Sequence, residues 1–429
     1  MSEKKDVIVI GAGMAGLLVA YYLQETGKSV LVLEANKIAF GQTDRTTAKI
    51  TSQHGLKYNT LIKKVGREQA QIYARANQEA IDEYERLIKR LGVVCDFERV
   101  PAYLYSLVNG EQLLEEAKAA VSLGIDAFFT KQTEMPFPVA GAVCFRRQAR
   151  FSPPQFMKAL ADKLEIKEDT PVLKVCGRRV YTREQVYTAE KIVMATHYPF
   201  LNVPGFYFLR QHQERSYVLA LKGCKPVLGM YYGVDRDGLS LRQAGEYLLL
   251  GGGGHRTGKK GCGGAYQKLR SAARKYFPEG QEVICWSAQD CMPHDGIPFI
   301  GKYSVFTPHL YVVTGFQKWG MSSAMIAAMI LREEIQGRTH PWSRLFGPQR
   351  LLVRAGFGKL LVDVGESIKG LTLGWLGKRS RRCPHLGCRL EWNPNEKSWD
   401  CPCHGSRFSQ EGRLYDNPAQ INVAVQGEE

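Results

Sequence analysis

The 429-residue sequence predicts an α/β protein in which a nucleotide-binding domain on a parallel sheet interleaves with an antiparallel substrate domain, followed by a small, shortened all-β module. Three observations predict it. A glycine motif sits between two short apolar runs at the N-terminus. Two further apolar runs, Ile192–Met194 and Leu310–Val313, end in turns of small residues. After residue 380 the composition changes to closely spaced Cys and His.

The first element is Asp6–Ile10, a continuous apolar run after its opening Asp, as expected of a strand buried on both faces. Gly11-Ala12-Gly13-Met14-Ala15-Gly16 follows directly, then a helical segment from Met14 to Glu25 ended by Gly27. Ser29–Leu33 leads into Glu34, completing a Rossmann-like βαβ unit. The three glycines act differently. Gly11 allows the tight turn, Gly13 lets backbone approach a pyrophosphate, and Gly16 permits close packing of helix on strand. Glu34 is placed to accept hydrogen bonds from an adenosine ribose, and its charge disfavours a 2′-phosphate. The motif by itself does not choose between FAD and NAD.

Leu61 to Leu91 reads as an amphipathic helical region whose apolar positions face a core. Pro136, Pro138, Pro153 and Pro154 mark loops between the nucleotide and substrate domains. A strand from Ile192 runs into Ala195-Thr196-His197. Gly251 to Gly258 fails as a second dinucleotide fingerprint, because the third glycine position falls on Arg256 or Thr257 and no helix follows. It reads as a glycine-rich strand end, with a cavity-lining loop as the second reading. Asp295–Gly301 precedes the Leu310–Gly315 strand, and Ser322 to Glu334 forms the last helix, fed by Gly315–Met321.

The C-terminal module contains Cys383-Pro384-His385-Leu386-Gly387-Cys388 and Cys401-Pro402-Cys403-His404-Gly405-Ser406. Each box offers one thiolate and one imidazole, so two facing loops are able to hold a two-iron cluster with sulfurs on one iron and imidazoles on the other. Two Cys and two His also suit tetrahedral zinc. Zinc fingers, however, usually place both Cys in one arm and both His in the other, whereas here each arm is mixed.

These boxes resemble those of Rieske [2Fe-2S] proteins, with similarity from about Arg382 to Ala419. The resemblance implies that Cys383, His385, Cys401 and His404 ligate the cluster and that Cys388 and Cys403 pair as a disulfide. It also implies that Ser406 donates to a cluster sulfide and that Asn417-Pro418-Ala419 forms the covering proline loop. Phe408 stands where high-potential members carry Tyr, and the strands usually preceding the first box are missing. The base of the module is therefore expected to be shortened or supplied by the rest of the chain. From Val7 to Leu345 the sequence resembles the FAD-dependent D-amino-acid-oxidase/glycine-oxidase family. That resemblance implies FAD held by Gly11, Gly13, Gly16, Glu34, Arg45, Thr46, Thr47, Ala195, Thr196, Gly301, Gly315, Gly320 and Met321. In that family the last helix points its N-terminus at the flavin. Residues 1–345 would form the flavin part, 346–378 a linker and 379–429 the Rieske part. The combined order is similar to bacterial FAD-dependent oxidoreductases with a fused Rieske domain.

That architecture implies an enzyme in which a small-molecule substrate, an amine or amino acid, exchanges a hydride with FAD. The cluster would relay single electrons to or from a redox protein partner. A redox sensor without turnover, or a flavoenzyme with a structural zinc module, are the alternatives. His54, Tyr217, His255, Arg256, Lys318 and Trp319 fall in segments able to line a pocket, but no catalytic role attaches to any of them from sequence.

The net charge of +16 is spread along the chain without a nucleic-acid motif, so nucleic-acid binding is not expected. The run Lys378–Arg382 is a linker or a docking point for an acidic partner. Of the eleven cysteines, Cys95, Cys144, Cys176, Cys224, Cys262 and Cys285 are scattered, and small buried thiols are the ordinary expectation for them. Cys291 has a minor reading as a redox partner of the flavin. The opening residues run straight into a strand without a signal peptide, and no apolar stretch reaches the ~18 residues that span a bilayer. The location expected is cytoplasmic. Leu351 to Leu376 is apolar and basic, but its glycines argue against one regular interfacial helix.

Overall fold

The computed structural model describes residues 4–350 and 381–423. The N-terminal βαβ unit builds the centre of an eight-stranded sheet. Lys4–Ile10 lies parallel between Val30–Leu33 and Val186–Met194, with Ile8 opposite Leu31 on one side and Ile192 on the other. Leu310–Thr314 extends the parallel set, and Phe299–Lys302 closes that edge in the antiparallel sense. Val7–Ile10 and Val30–Leu33 are wholly buried, which accounts for their unbroken apolar character.

Two glycines are required by close approach. A Cβ on Gly11, whose φ is +106°, would stand 2.6 Å from the Ala195 carbonyl oxygen, and one on Gly16 would stand 1.9 Å from that of Gly11. The helix Met14–Gln24 therefore lies directly on the strand it follows, and Gly320–Glu334 packs beside it. The expected helical region from Leu61 is divided at Gly66, φ +83°, into Tyr58–Val65 and Arg67–Leu91. The second helix buries Tyr73, Ala80, Tyr84, Leu87 and Ile88 along one stripe.

The substrate sheet has nine strands in two groups, one from 49–150 and one from 211–293. It is not purely antiparallel, as the sequence led one to expect: Met230–Gly233 runs parallel to Glu98–Ser106, with Tyr231 opposite Tyr103. These strands come from distant segments and share no hairpin turn, so nothing local imposes the antiparallel sense at the join. Phe346 is still buried, and Arg350 binds Asp295 at 2.8 and 3.0 Å. The predicted linker beyond that point, the apolar-basic stretch 351–376 and Lys378–Ser380 lie outside the described residues.

The C-terminal module is a four-stranded antiparallel sheet of Glu391–Asn393, Ser398–Asp400, Arg407–Phe408 and Leu414–Asp416. It rests on the strands Gln211–Lys222 and Gln281–Pro293. Arg215, fully buried, donates to Gln289 at 2.8 Å and lies 3.5 Å from Glu396, while Arg407 reaches Asp416 at 2.8 Å and Asp400 at 3.2 Å. Five charged side chains thus satisfy one another where the two parts meet.

Candidate functional site

The two Cys/His boxes fold as matching loops. In the first, Cys383 N–H donates to the Cys388 carbonyl and Gly387 N–H to that of Cys383. In the second, Cys401 N–H donates to Ser406 and Gly405 N–H back to Cys401, all at 2.8–3.0 Å. A Cys388–Cys403 disulfide joins the loops. The Cys401 sulfur lies near both disulfide sulfurs, but those are spent on each other, so its available thiol partner is Cys383. The bond from Cys401 holds the Cys383 thiol down, to about 7, while Cys401 is pushed well up by the same contact and by burial. The pair releases one proton readily and holds the second.

Opposite the thiols, the His385 and His404 rings meet edge to face, 4.9 Å between centroids. His385 Nε2 lies 2.7 Å from Asn202 Oδ1, an acceptor, so Nε2 carries the proton and Nδ1 is left as the lone-pair nitrogen. That Nδ1 is buried without a hydrogen-bond partner, and burial pushes the imidazole down to about 4, keeping it neutral. Two thiols in contact and a neutral nitrogen with a free lone pair thus belong to the boxes where the sequence placed a metal centre. Ser406 faces Cys383 and accepts from Ala419 N–H at 3.0 Å. Phe408 is fully buried in the same group as Cys383 and Cys401.

A cavity of about 870 Å³ runs from Glu34 past the glycine turn to the substrate sheet. Among the sequence-predicted residues it takes in Gly11, Gly13, Glu34, Arg45, Thr46, Thr47, Ala195, Thr196, Gly315, Gly320 and Met321. Gly16 stands behind the wall, where it lets the helix pack on the strand. Gly301 does not belong: it lies on the edge strand Phe299–Lys302, φ +137°, against Pro348 and Glu334. Its glycine serves the packing of the segment that leads to Arg350.

Glu34 accepts from Ala12 N–H at 2.7 Å and Asn36 N–H at 2.9 Å, and burial pushes its carboxyl up against those bonds. Each oxygen retains a further acceptor position. The helices from Met14 and from Gly320 both start at the cavity without a cap from their own N-cap residue; Met14 N–H donates to Thr43 Oγ1 at 3.2 Å, and the amides that follow it are placed toward an anionic group.

On the substrate side the wall carries Lys318, 3.1 Å from Asp290 and 3.5 Å from Glu214. Burial would raise Glu214, but His212 and Lys318 outweigh it and hold the carboxyl down at about 2. Lys49 is different: burial, with Arg242 nearby, pushes its ammonium down to about 7, and its Nζ donates to Ser240 Oγ and to the Tyr231 carbonyl. Sequence reasoning missed Lys49 as chemistry because the burial of one lysine leaves no mark in a single sequence.

Of the six pocket candidates, Tyr217, Lys318 and Trp319 line the cavity, and His54, His255 and Arg256 do not. His54 stacks behind Trp319 at 4.7 Å with its nitrogens held by Tyr73 and Thr51. His255 bonds Tyr217 at 2.9 Å, and Arg256 turns to the Pro402 carbonyl. Cys291 is buried behind the wall, its thiol pushed well up by burial and its sulfur donating to the His197 carbonyl, so it is protonated and unsuited to redox exchange. Gly251–Gly254 satisfies both readings of that motif, since it belongs to the strand Tyr247–Arg256 and lines the cavity.

One wall was not foreseen. Leu414, Tyr415, Asp416, Asn417, Ala419 and Gln420, all from the C-terminal module, close the side of the cavity. Asn417 Nδ2 donates to the Thr196 and Tyr198 carbonyls at 2.9 and 2.8 Å, and Gln213 Nε2 donates to the His404 carbonyl at 2.6 Å. The loop after the second box is therefore shared by the two centres.

Comparisons with known proteins agree with both halves. Residues 6–334 match the family model of the FAD dependent oxidoreductases, and residues 377–426 match that of the Rieske [2Fe-2S] domain. The chain is 33% identical to a putative Rieske 2Fe-2S iron-sulfur protein, YhfW, of Bacillus subtilis, over 96% of this chain and 92% of that one. Its fold is similar to that of glycine oxidase from Geobacillus kaustophilus (TM-score 0.69, 16% identity, 82% of this chain and all of that one). L-proline dehydrogenase from P. horikoshii is also similar (TM-score 0.67, 17% identity, 81% and 98%). The residues present fit both groups: helix starts at the cavity and an acceptor carboxylate suit FAD, and the orphaned His385 Nδ1 with the Cys383–Cys401 thiol pair suits an iron cluster. The mixed boxes are those of a Rieske domain, which sets the zinc reading aside.

Proposed function

Since the chain belongs to the FAD dependent oxidoreductase family and carries a Rieske domain, we propose that it oxidises a small amine or amino acid and passes the electrons singly through its [2Fe-2S] cluster to a protein partner. The observation that carries this reading is the wall shared by the two sites: Leu414–Asn417, Ala419 and Gln420 line the cavity read as the flavin site while Ala419 bonds Ser406 beside Cys383. Such closeness suits direct exchange of electrons within the chain.

In this reading Gly11, Gly13, Gly16, Glu34, Arg45, Thr46, Thr47, Ala195, Thr196, Gly315, Gly320 and Met321 seat FAD. Cys383, His385, Cys401 and His404 hold the cluster. Bound FAD supplies the acceptor for a substrate hydride. The protein's own groups prepare the substrate. Glu214 and Asp290 outnumber the single Lys318 they share, leaving a net negative wall that favours an ammonium group. Lys49, with its ammonium held at about 7, is the base that takes the amine proton and leaves the nitrogen uncharged for hydride loss. The named acts of glycine oxidase and L-proline dehydrogenase point to the same substrate class.

The test is an anaerobic screen of amines and amino acids against purified protein, following flavin bleaching beside the cluster's EPR signal. A substrate should bleach the flavin and then bring up the reduced-cluster signal. Lys49→Met should slow bleaching by about 10²-fold, the low end for a positioned base, while FAD is retained. Bleaching with a cluster that stays oxidised would sink the relay. Bleaching by reduced pyridine nucleotides alone would sink the substrate class.

A further inference from the structure

His197 stands between the two sites with its backbone in the left-handed region, uncommon for residues other than glycine. Its φ is +63°, in the left-handed region that costs a residue with a Cβ. Three consecutive carbonyls are clamped to hold it there. Asn417 Nδ2, from the cluster side, bonds the carbonyls of Thr196 and Tyr198. Thr314 Oγ1 donates to the His197 carbonyl at 2.6 Å, and the Cys291 sulfur donates to the same oxygen at 3.4 Å. Strain of this kind persists only where the surroundings over-determine it, and it gathers at working sites.

The clamped backbone aims the ring at the place where the sites meet. His197 lines the flavin cavity, and its Nε2 is buried without a hydrogen-bond partner. The Gln213 side chain hydrogen-bonds the ring, and its Nε2 donates to the carbonyls of His404 at 2.6 Å and Asn417 at 3.3 Å. The charged groups facing the ring are Asp290 and Asp416, from the two strands packed on either side. Burial outweighs them and pushes the imidazole down, so the ring is neutral and has room for a proton.

We propose that His197 is the proton carrier between flavin and cluster, the residue that lets a two-electron, proton-bearing centre exchange with a one-electron centre that takes no proton. The proposal rests on the reading that electrons pass between the two groups. Return of the reduced flavin to FAD gives up two electrons and one proton. The cluster takes the electrons one at a time, and a one-electron acceptor protein clears it after each. The proton goes to Nε2 of His197, the ring becoming imidazolium, and then to solvent; electron flow in the opposite direction reverses each transfer. Glu214 and Asp290 are committed to Lys318, and Lys49 serves the substrate's proton on the far wall.

His197→Gly tests it, because glycine takes the left-handed conformation freely and only the ring is lost. The holoprotein is photoreduced anaerobically at the flavin, and appearance of the reduced cluster is timed by absorbance and EPR. The expected result is parental FAD content and parental g-values, with transfer slowed at least ~10-fold, below even the usual contribution of a positioned proton acceptor. The solvent deuterium effect of the parent should disappear, and added imidazole should restore part of the rate. A parental rate in the variant overturns the role of His197, as does a slow rate with shifted g-values and no response to imidazole. If His197→Gly loses FAD, His197→Asn is measured, since Asn also adopts positive φ. Loss of FAD in both variants makes the ring part of the FAD seat and overturns the carrier. A parent that shows no flavin-to-cluster transfer at all fails the reading beneath, not the residue alone.

Discussion

A single hydroxyl separates Phe408 from the residue that its position in the second box calls for. The ring is fully buried among Cys383, Cys401 and Ala419, so it faces the cluster loops as the resemblance implied. Hydrogen bonds to a ligand sulfur stabilise the more negative reduced state. Phe408→Tyr is therefore expected to raise the cluster potential. A donor bond to a charged group of about 1.5–3 kcal/mol sets an upper scale of roughly 65–130 mV at one electron. Protein-film voltammetry of both proteins decides it: no rise, or a fall, means the new hydroxyl does not reach the sulfur. Residue identity at this level was legible in the sequence because boxes of fixed spacing carry their geometry with them. Lys49 and His197 were not, since a lowered ammonium and a clamped left-handed backbone arise from distant strands, at Tyr231, Ser240, Thr314 and Asn417.

At the scale of elements, the C-terminal sheet is docked by charge. Asp416 is buried, a state that favours its protonated form, yet Arg407, Arg215 and Arg45 outweigh burial and hold the carboxyl down from 3.8 to about 2. Glu396 is lowered as well, by Arg215 and by bonds from Ser287 and Tyr266, against the same penalty. A carboxyl lowered in the folded state contributes stability that is complete above its unfolded value and is lost as pH falls through the folded one. For Asp416 that window runs from about pH 4 down to about 2, and the contribution is of order 2 kcal/mol. Hydrogen exchange should show the strands Ser398–Asp400 and Arg407–Phe408 losing protection across this window. Asp416→Asn should begin with less protection at about pH 6 and fall less steeply. A variant with the parental pH slope would place the acid sensitivity in another group. The parallel strands at Val7, Val30, Ile192 and Leu310 were legible as continuous apolar runs that end in small-residue turns. The parallel join of Met230–Gly233 with Glu98–Ser106 was not, because pairing of distant segments without a shared turn leaves no local pattern.

The whole molecule is built so that neither redox site is complete alone. The large cavity borrows Leu414–Asn417, Ala419 and Gln420 from the Rieske part, while His385 is oriented by Asn202 and the carbonyl of His404 by Gln213, both from the flavin part. The four described strands of the Rieske part rest on Gln211–Lys222 and Gln281–Pro293, and Arg215 reaches Glu396 and Asp416 across the contact. Opening that contact would leave Arg215, fully buried, without Glu396 and Asp416, a loss that a buried charge tolerates poorly. The two parts should therefore unfold together although they match separate family models. In a thermal scan of the holoprotein, the rise of free-flavin fluorescence and the bleaching of the cluster's visible absorbance should share one midpoint. Arg215→Met should lower both midpoints equally, by an amount set by the carboxylates it leaves unpaired. Two midpoints in the parent, with the cluster lost while FAD stays bound, would show that the shared wall is dispensable and that the Rieske part is only tethered to the flavin part.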